Sequence, residues 1–268
     1  MRELLNTSLG ASVLPSSGVI GSGVWSVEAL CDCDITVEGG SVASLVILDV
    51  EGSSAEINID VARGAVLNIL HVVKHRSASS VVIAVDAISV CRMTQVVTSA
   101  SDTRVVASLV GREARFELGG VFVLTDDDQG SVTADVNHMT SDCVSRIKVK
   151  GVASGESHGR FSGLVYVAPD AQHTDSEQTN RNVTIGRGRI ETLPQLEIYA
   201  DDVKCSHGAT VGQMDSDAIL YMRQRGLSLA DAKRLQIEGF VDDVVLHSAV
   251  EGVADTLTAL LSEKLNKL

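Results

Sequence analysis

Apolar and polar residues alternate over most of this chain. Ala55-Glu56-Ile57-Asn58-Ile59-Asp60-Val61 alternates strictly, and so do Arg115-Phe116-Glu117-Leu118 and Arg146-Ile147-Lys148-Val149-Lys150. A period of two puts the apolar set on one face of a β-strand. Four other stretches are apolar almost throughout: 44–48, 66–73, 81–85 and 121–124. Those predict strands covered on both faces.

The strand pattern runs from about Gly18 to Gly212 and is broken about every ten residues. The breaks carry Gly39-Gly40, Gly52-Ser53-Ser54, Arg63-Gly64, Ser77-Ala78-Ser79-Ser80, Gly119-Gly120 and Asp126-Asp127-Asp128-Gln129-Gly130. Gly186-Arg187-Gly188-Arg189 opens no helix and reads as another corner. No linker divides the region, so a two-domain sandwich is disfavoured. An all-β solenoid, a parallel β-helix of stacked rungs, fits best.

The last fifth changes period. Asp215 can cap a helix running to Arg225, with cations in its last turn and Gly226 as its stop. Ser228-Leu229-Ala230-Asp231 opens a second helix that ends at Gly239. A third can start at Asp242, with Leu246, Val250, Val253, Leu257, Leu260, Leu261 and Leu265 along one stripe. As one helix it would be about 35–40 Å long. The stripe must cover the solenoid end or a partner. The expected division is 1–214 for the β-helix core and 215–268 for a small C-terminal α-helical domain.

Composition narrows the picture. Aromatic residues are only 3% of 268, so the core must be filled by small and β-branched side chains, as stacked rungs allow. The net charge of −13 and the lack of a Lys/Arg cluster argue against nucleic acid and anionic membranes as partners. No apolar run approaches about 20 residues, and MRELLNTSLG has no apolar leader core. Five scattered cysteines without CxxC read as free thiols in a reducing compartment, hence a cytoplasmic expectation. Cys31-Asp32-Cys33 lacks the second half-site that a structural metal would need.

Candidate chemistry concentrates in one place. In the extended run from Asp202 to Val211, alternation turns Cys205 and His207 to one face and Ser206 to the other. A thiol and an imidazole side by side can hold iron, zinc or copper, although two ligands are too few for a stable site. They could equally be a packed cysteine and a hydrogen-bonded histidine. Glu197 reads as part of a solvated face, and the Asp201-Asp202 and Asp126–Asp128 runs as solvated turns rather than calcium loops. No GxSxG, HExxH, Walker A loop or strand–GxGxxG–helix unit is present, so no nucleotide is expected on this chain and no enzyme is expected.

Pro194-Gln195-Leu196-Glu197-Ile198, Asp202-Val203-Lys204-Cys205-Ser206-His207-Gly208-Ala209-Thr210-Val211-Gly212, Tyr221-Met222-Arg223-Gln224-Arg225-Gly226 and Glu238-Gly239-Phe240 resemble the SufB/SufD family, scaffold subunits of SUF iron–sulfur cluster assembly. Weaker similarity extends through Lys150-Gly151, Phe161-Ser162-Gly163 and 171–180. Ser206 and Gly208 stand where the SufB branch has acidic residues. Gly188 stands where that branch has a cysteine, so the chain is closer to the SufD branch. Family members usually carry a longer helical N-terminal region than the one seen here.

The resemblance implies a right-handed parallel β-helix that pairs edge to edge with a SufB-like paralogue or a second copy of itself. It implies C-terminal helices that dock a SufC-like ABC ATPase through Tyr221, Arg223, Arg225, Gly226 and Phe240. It also implies a transient iron–sulfur cluster or iron at the interface, with His207 as ligand and Cys205 as helper thiol. Two other readings compete: a β-helix polysaccharide lyase or hydrolase, and a purely structural solenoid binding module.

Overall fold

The computed structural model describes residues 9–14 and 17–266, so most of the N-terminal segment read above for a leader lies outside them. Seventeen strands form two sheets in which every pairing is parallel. One sheet stacks β1 (Ser12–Val13), β3 (Gly23–Ala29), β5 (Val42–Asp49), β7 (Val66–Val73), β9 (Val90–Val97), β11 (Arg115–Leu124), β13 (Val144–Ala153), β15 (Thr174–Thr184) and β17 (Val203–Gly212). The other stacks β2 (Gly18–Ile20), β4 (Cys33–Val37), β6 (Ser54–Val61), β8 (Ala78–Val85), β10 (Asp102–Leu109), β12 (Gln129–His138), β14 (His158–Val167) and β16 (Arg189–Ile198). The chain alternates between the sheets at every strand, which is the winding of a flattened parallel β-helix.

Successive rungs repeat in register. Val42 pairs with Val66 and Val66 with Val90, a step of 24 residues that also sets His71 against Gln95. Towards the C-terminus the strands lengthen from 8 to 10 residues, and the step reaches 31 between Ser145 and Ser176. The corners repeat too. Gly40, Gly64, Ile88, Glu113, Asp142 and His173 all adopt φ between 59° and 72°. Each donates its N–H to a carbonyl one rung ahead, from Gly40 to Arg63 O through to His173 to Asp202 O. Gly40 and Gly64 meet this left-handed turn without steric cost, whereas a β-branched residue such as Ile88 does not.

The coil interior holds one apolar cluster that includes Leu45, Ile47, Ile57, Ile59, Leu67, Ile69, Ile83, Phe116 and Phe161. Aliphatic side chains dominate it, as the low aromatic content required.

Three helices follow: α1 (Ser216–Gln224), α2 (Leu229–Val245) and α3 (Ala254–Leu265). Asp215 caps α1 through the Asp217 and Ala218 N–H groups, and Ser228 caps α2 through the Asp231 N–H. Beyond these caps the helices depart from the expected bounds. The second helix does not end at Gly239 but runs through it to Val245, because its buried face continues to Val241, Val244 and Val245. The third begins at Ala254 rather than Asp242. The chain turns between the two helices at Gly252 (φ 77°), and Leu246 is 61% exposed rather than part of the stripe.

The stripe does not cap the solenoid end. Ile237, Val241, Val244, Leu257, Leu260 and Leu261 form a second core with Val46, Leu48, Leu70, Val72, Val96, Val121, Val123 and Val152 on the outer face of the nine-stranded sheet. This explains three of the four apolar stretches: they face the coil on one side and the helices on the other. The fourth differs, since β8 lies in the uncovered sheet and its outward Val82 is half-buried. Gly119-Gly120 is not a break either; both lie inside β11. A Cβ on Gly119 would stand 3.3 Å from Val244 Cγ1 of α2, so the glycine permits close helix–sheet approach.

Polar anchors fasten this layer. Lys150 Nζ, from β13, donates to Phe240 O and to Asp243 Oδ1, both at 2.6 Å, and lies 4.7 Å from the Phe240 ring centre. Lys264 reaches Asp128 at 2.6 Å, and Thr94 Oγ1 accepts the Ala249 N–H at 2.9 Å.

Candidate functional site

The solenoid ends in an uncovered rung. β17 pairs only with β15, and β16 only with β14. In this ladder the outward residues turn their N–H groups to the preceding rung: Val144 to Ala114 O, Asp175 to Cys143 O, Arg189 to Ser157 O. Parallel pairing alternates, so the inward residues turn theirs forward. On β17 the inward set is Val203, Cys205, His207, Ala209 and Val211, paired with Thr174, Ser176, Gln178, Asn180 and Asn182. Their backbone N–H and C=O groups therefore line the open edge. On β16, Pro194 occupies a forward position and has no N–H to offer, as suits an edge strand. The uninterrupted edge is that of β17.

Cys205 and His207 share the inner face of this edge strand, as strand alternation predicts. Cys205 is half-buried and packs against the coil interior, while His207 is exposed. Burial raises the Cys205 thiol above its ordinary pKa. The nearby Asp175 charge adds to that, and hydrogen bonding from the Ser176 backbone opposes it. The thiol form is thus favoured in this chain by itself. Among the described residues no group of three or more His, Cys, Asp or Glu is arranged to hold a metal ion. Two donors are only half of the ligand set that a soft metal takes.

The other cysteines lie elsewhere. Cys91 is wholly inside the coil with its pKa pushed up to about 12 by burial, Cys143 is buried, and Cys31 and Cys33 sit near the opposite end of the solenoid.

Beneath the edge strand is a layer that sequence reading did not single out. Every inward residue of β15 from Thr174 to Asn182 is polar and buried. His138 Nε2 bonds Ser145 Oγ at 2.9 Å, and Ser145 Oγ meets Ser176 Oγ at 2.7 Å. Asn180 donates to Val149 O, and Asn182 to Thr210 O, both at 3.1 Å. His138 Nδ1 and Gln178 Oε1 have no hydrogen-bond partner among the described residues. The available signal was the run Thr174-Asp175-Ser176-Glu177-Gln178-Thr179-Asn180, which is polar at both parities of a strand.

The helical candidates fall into two places. Tyr221 and Arg225 stack at the end of α1, with the guanidinium 4.6 Å from the ring centre, and Gly226 follows at φ 96°. Tyr221 is 56% exposed, Arg223 is exposed, Leu220 beside them is 54% exposed, and α1 buries no residue. Phe240 instead turns toward the sheet, where Lys150 holds it. Glu197 is exposed on the outer face of β16.

Residues 32–240 match the family described as SUF system FeS cluster assembly, SufBD core domain. The iron–sulfur cluster assembly protein SufD of Escherichia coli is 40% identical over 131 residues, covering 48% of this chain and 31% of that protein. A SufBD-family protein of Synechocystis is 46% identical over 86 residues, 32% of this chain and 19% of the relative. One from Mycobacterium leprae is 30% identical over 158 residues, 56% of this chain and 40% of the relative. Each match thus spans less than half the length of the curated relative.

Proposed function

The chain belongs to the SufBD core family, and we propose that it is a SufD-like, non-catalytic scaffold subunit of iron–sulfur cluster assembly. The observation that carries the proposal is the pair Cys205 and His207 on the inner face of an uncovered edge strand. A thiol and an imidazole at that boundary supply half of a soft-metal ligand set, and a partner's edge supplies the other half. The cluster, or the iron destined for it, is cargo at this joint and not a resident cofactor. The partner is a SufB-like paralogue or a second copy of this chain, in the cytoplasm. A SufC-like ABC ATPase docks on α1, where Leu220 and Tyr221 are exposed beside Arg223 and Arg225. No nucleotide is held by this chain itself.

The test is anaerobic co-expression with a SufB-like protein and the ATPase, followed by iron and sulfide analysis of the isolated complex. Replacing Cys205 and His207 by alanine is expected to leave the complex assembled but depleted of iron and sulfide. Undiminished loading would refute the site. Leu220→Asp with Tyr221→Ala is expected to release the ATPase without changing thermal stability. Retention of the ATPase would refute the docking surface. Deleting the helical region would be a poor test, because α2 and α3 form one core with the sheet.

A further inference from the structure

The buried polar layer under the edge strand is hydrogen-bonded except at a few atoms, and one of these belongs to the residue paired with His207. Gln178 is wholly buried in β15. Its Nε2 crosses the coil to donate to Gly163 O at 3.3 Å, while its Oε1 accepts nothing. The sequence makes room for this amide: a Cβ on Gly163 would stand 2.5 Å from Gln178 Nε2. The residue paired in register with Gln178 on the edge strand is His207. Paired residues of adjacent parallel strands project on the same face about 4.8 Å apart. Ring nitrogens of four other histidines (His71, His138, His173 and His247) make hydrogen bonds, whereas no described residue bonds the His207 ring.

We propose that Gln178 is a positioning residue for His207: turned inward, the exposed imidazole gives one N–H to the Gln178 Oε1 that otherwise accepts nothing. That bond fixes the tautomer of the neutral ring and leaves the lone pair of the other nitrogen free at the open edge. A ligating imidazole needs such an acceptor behind it, since the group bonded to one nitrogen decides which nitrogen is free. An amide oxygen suits the task because it only accepts. Thr192 Oγ1 is also buried without a partner, but a hydroxyl donates as readily as it accepts and would not select a tautomer. The purpose of the bond rests on the reading of His207 as a ligand; the bond itself does not.

The experiment is long-range proton–nitrogen NMR of the full chain labelled at histidine, at about pH 8.5, where an ordinary imidazole is neutral. In the unsubstituted chain His207 is expected in one tautomer. Gln178→Met, of similar length but without the acceptor, is expected to return it to the mixture of a free imidazole. Thr192→Val is expected to leave it fixed. Resonances of the other six histidines report whether the variants stay folded. A mixed tautomer in the unsubstituted chain, a fixed tautomer surviving in folded Gln178→Met, or release by Thr192→Val alone would overturn the inference. Iron analysis of the anaerobic complex separates this result from the broader reading. Full iron in His207→Ala with a tautomer that responds to Gln178 sinks the ligand role and keeps the hydrogen bond. Iron lost in His207→Ala with a tautomer indifferent to Gln178 does the reverse. If both hold, Gln178→Met should weaken metal uptake about 10- to 100-fold, with cobalt(II) as the probe.

Discussion

His138 shows how much a single buried group can set. It is wholly inside the coil, with Ser145 on Nε2 and nothing on Nδ1. Burial lowers its pKa from 6.5 to about 4, against a smaller pull upward from Asp175. The unfolded chain therefore binds a proton that the folded chain refuses, and stability falls as pH drops from about 6.5 to about 4. The loss from this group approaches about 3 kcal/mol at 1.36 kcal/mol per pH unit. Urea unfolding at several pH values checks it: His138→Gln should flatten that part of the profile, and an unchanged slope would refute the assignment. The Asp49 carboxyl works in the same direction, at lower pH. Burial pushes it up, but the His71 charge and hydrogen bonds from His71 and Ser77 hold it below its ordinary value. Its contribution is present at neutral pH and is lost only as pH falls through that lowered pKa. At this scale Cys205 and His207 were legible because alternation is a property of adjacent residues. His138, Asp49 and Gln178 were not, because their burial and partners come from other strands, up to 28 residues away.

At the scale of elements, the strands were legible nearly from end to end, Gly18 to Gly212, because period two is local. The first two helices were legible at their starts, where Asp215 and Ser228 cap, but the end of the second and the start of the third were misread. Gly239 looked like a stop, yet a mid-helix glycine costs only about 1 kcal/mol, which the buried face of α2 outweighs. Gly239→Ala should therefore stabilise the isolated chain by about 0.5–1 kcal/mol, since its φ is not positive and a Cβ there meets nothing. Thermal denaturation decides this, and a destabilised variant would mean that the helix does not run through. The covering of the sheet by α2 and α3 makes a stronger claim. Leu257→Ala should cost about 2–5 kcal/mol, because Leu257 is wholly buried between helix and sheet, whereas Leu220→Ala on α1 should stay within about 0.5 kcal/mol. Equal effects at the two leucines would mean that the helical layer does not share the fold's core. What the sequence could not convey was direction. The apolar stripe announced a buried face, but only the doubly apolar strands of the nine-stranded sheet could receive it, and that match joins residues far apart in the chain.

The described residues form a stack with one face covered by helices, one face open to solvent and, at the C-terminal rung, a strand edge left to be paired. An unpaired edge is a hazard that proteins usually blunt, and here the two strands of the last rung differ. β16 carries Pro194 at a forward position, while β17 carries ten residues without proline. At this rung strand addition therefore has one competent side, and it is the side that holds Cys205 and His207. Ala209 gives the sharpest test. Its N–H points along the open edge, so Ala209→Pro removes a hydrogen bond that only a partner would make. The isolated variant should keep its stability within about 0.5 kcal/mol. Its association with a SufB-like partner, or with itself, should fall at least tenfold by sedimentation or light scattering. Thr210→Pro is the matched contrast. The Thr210 carbonyl already accepts from Asn182, and by alternation its N–H is bonded to β15, so this variant should lose about 1–3 kcal/mol in the free chain. If Ala209→Pro associates like the unsubstituted chain, docking does not use this edge. If it is destabilised as much as Thr210→Pro, the edge is not open, and Cys205 and His207 do not stand at a boundary between subunits.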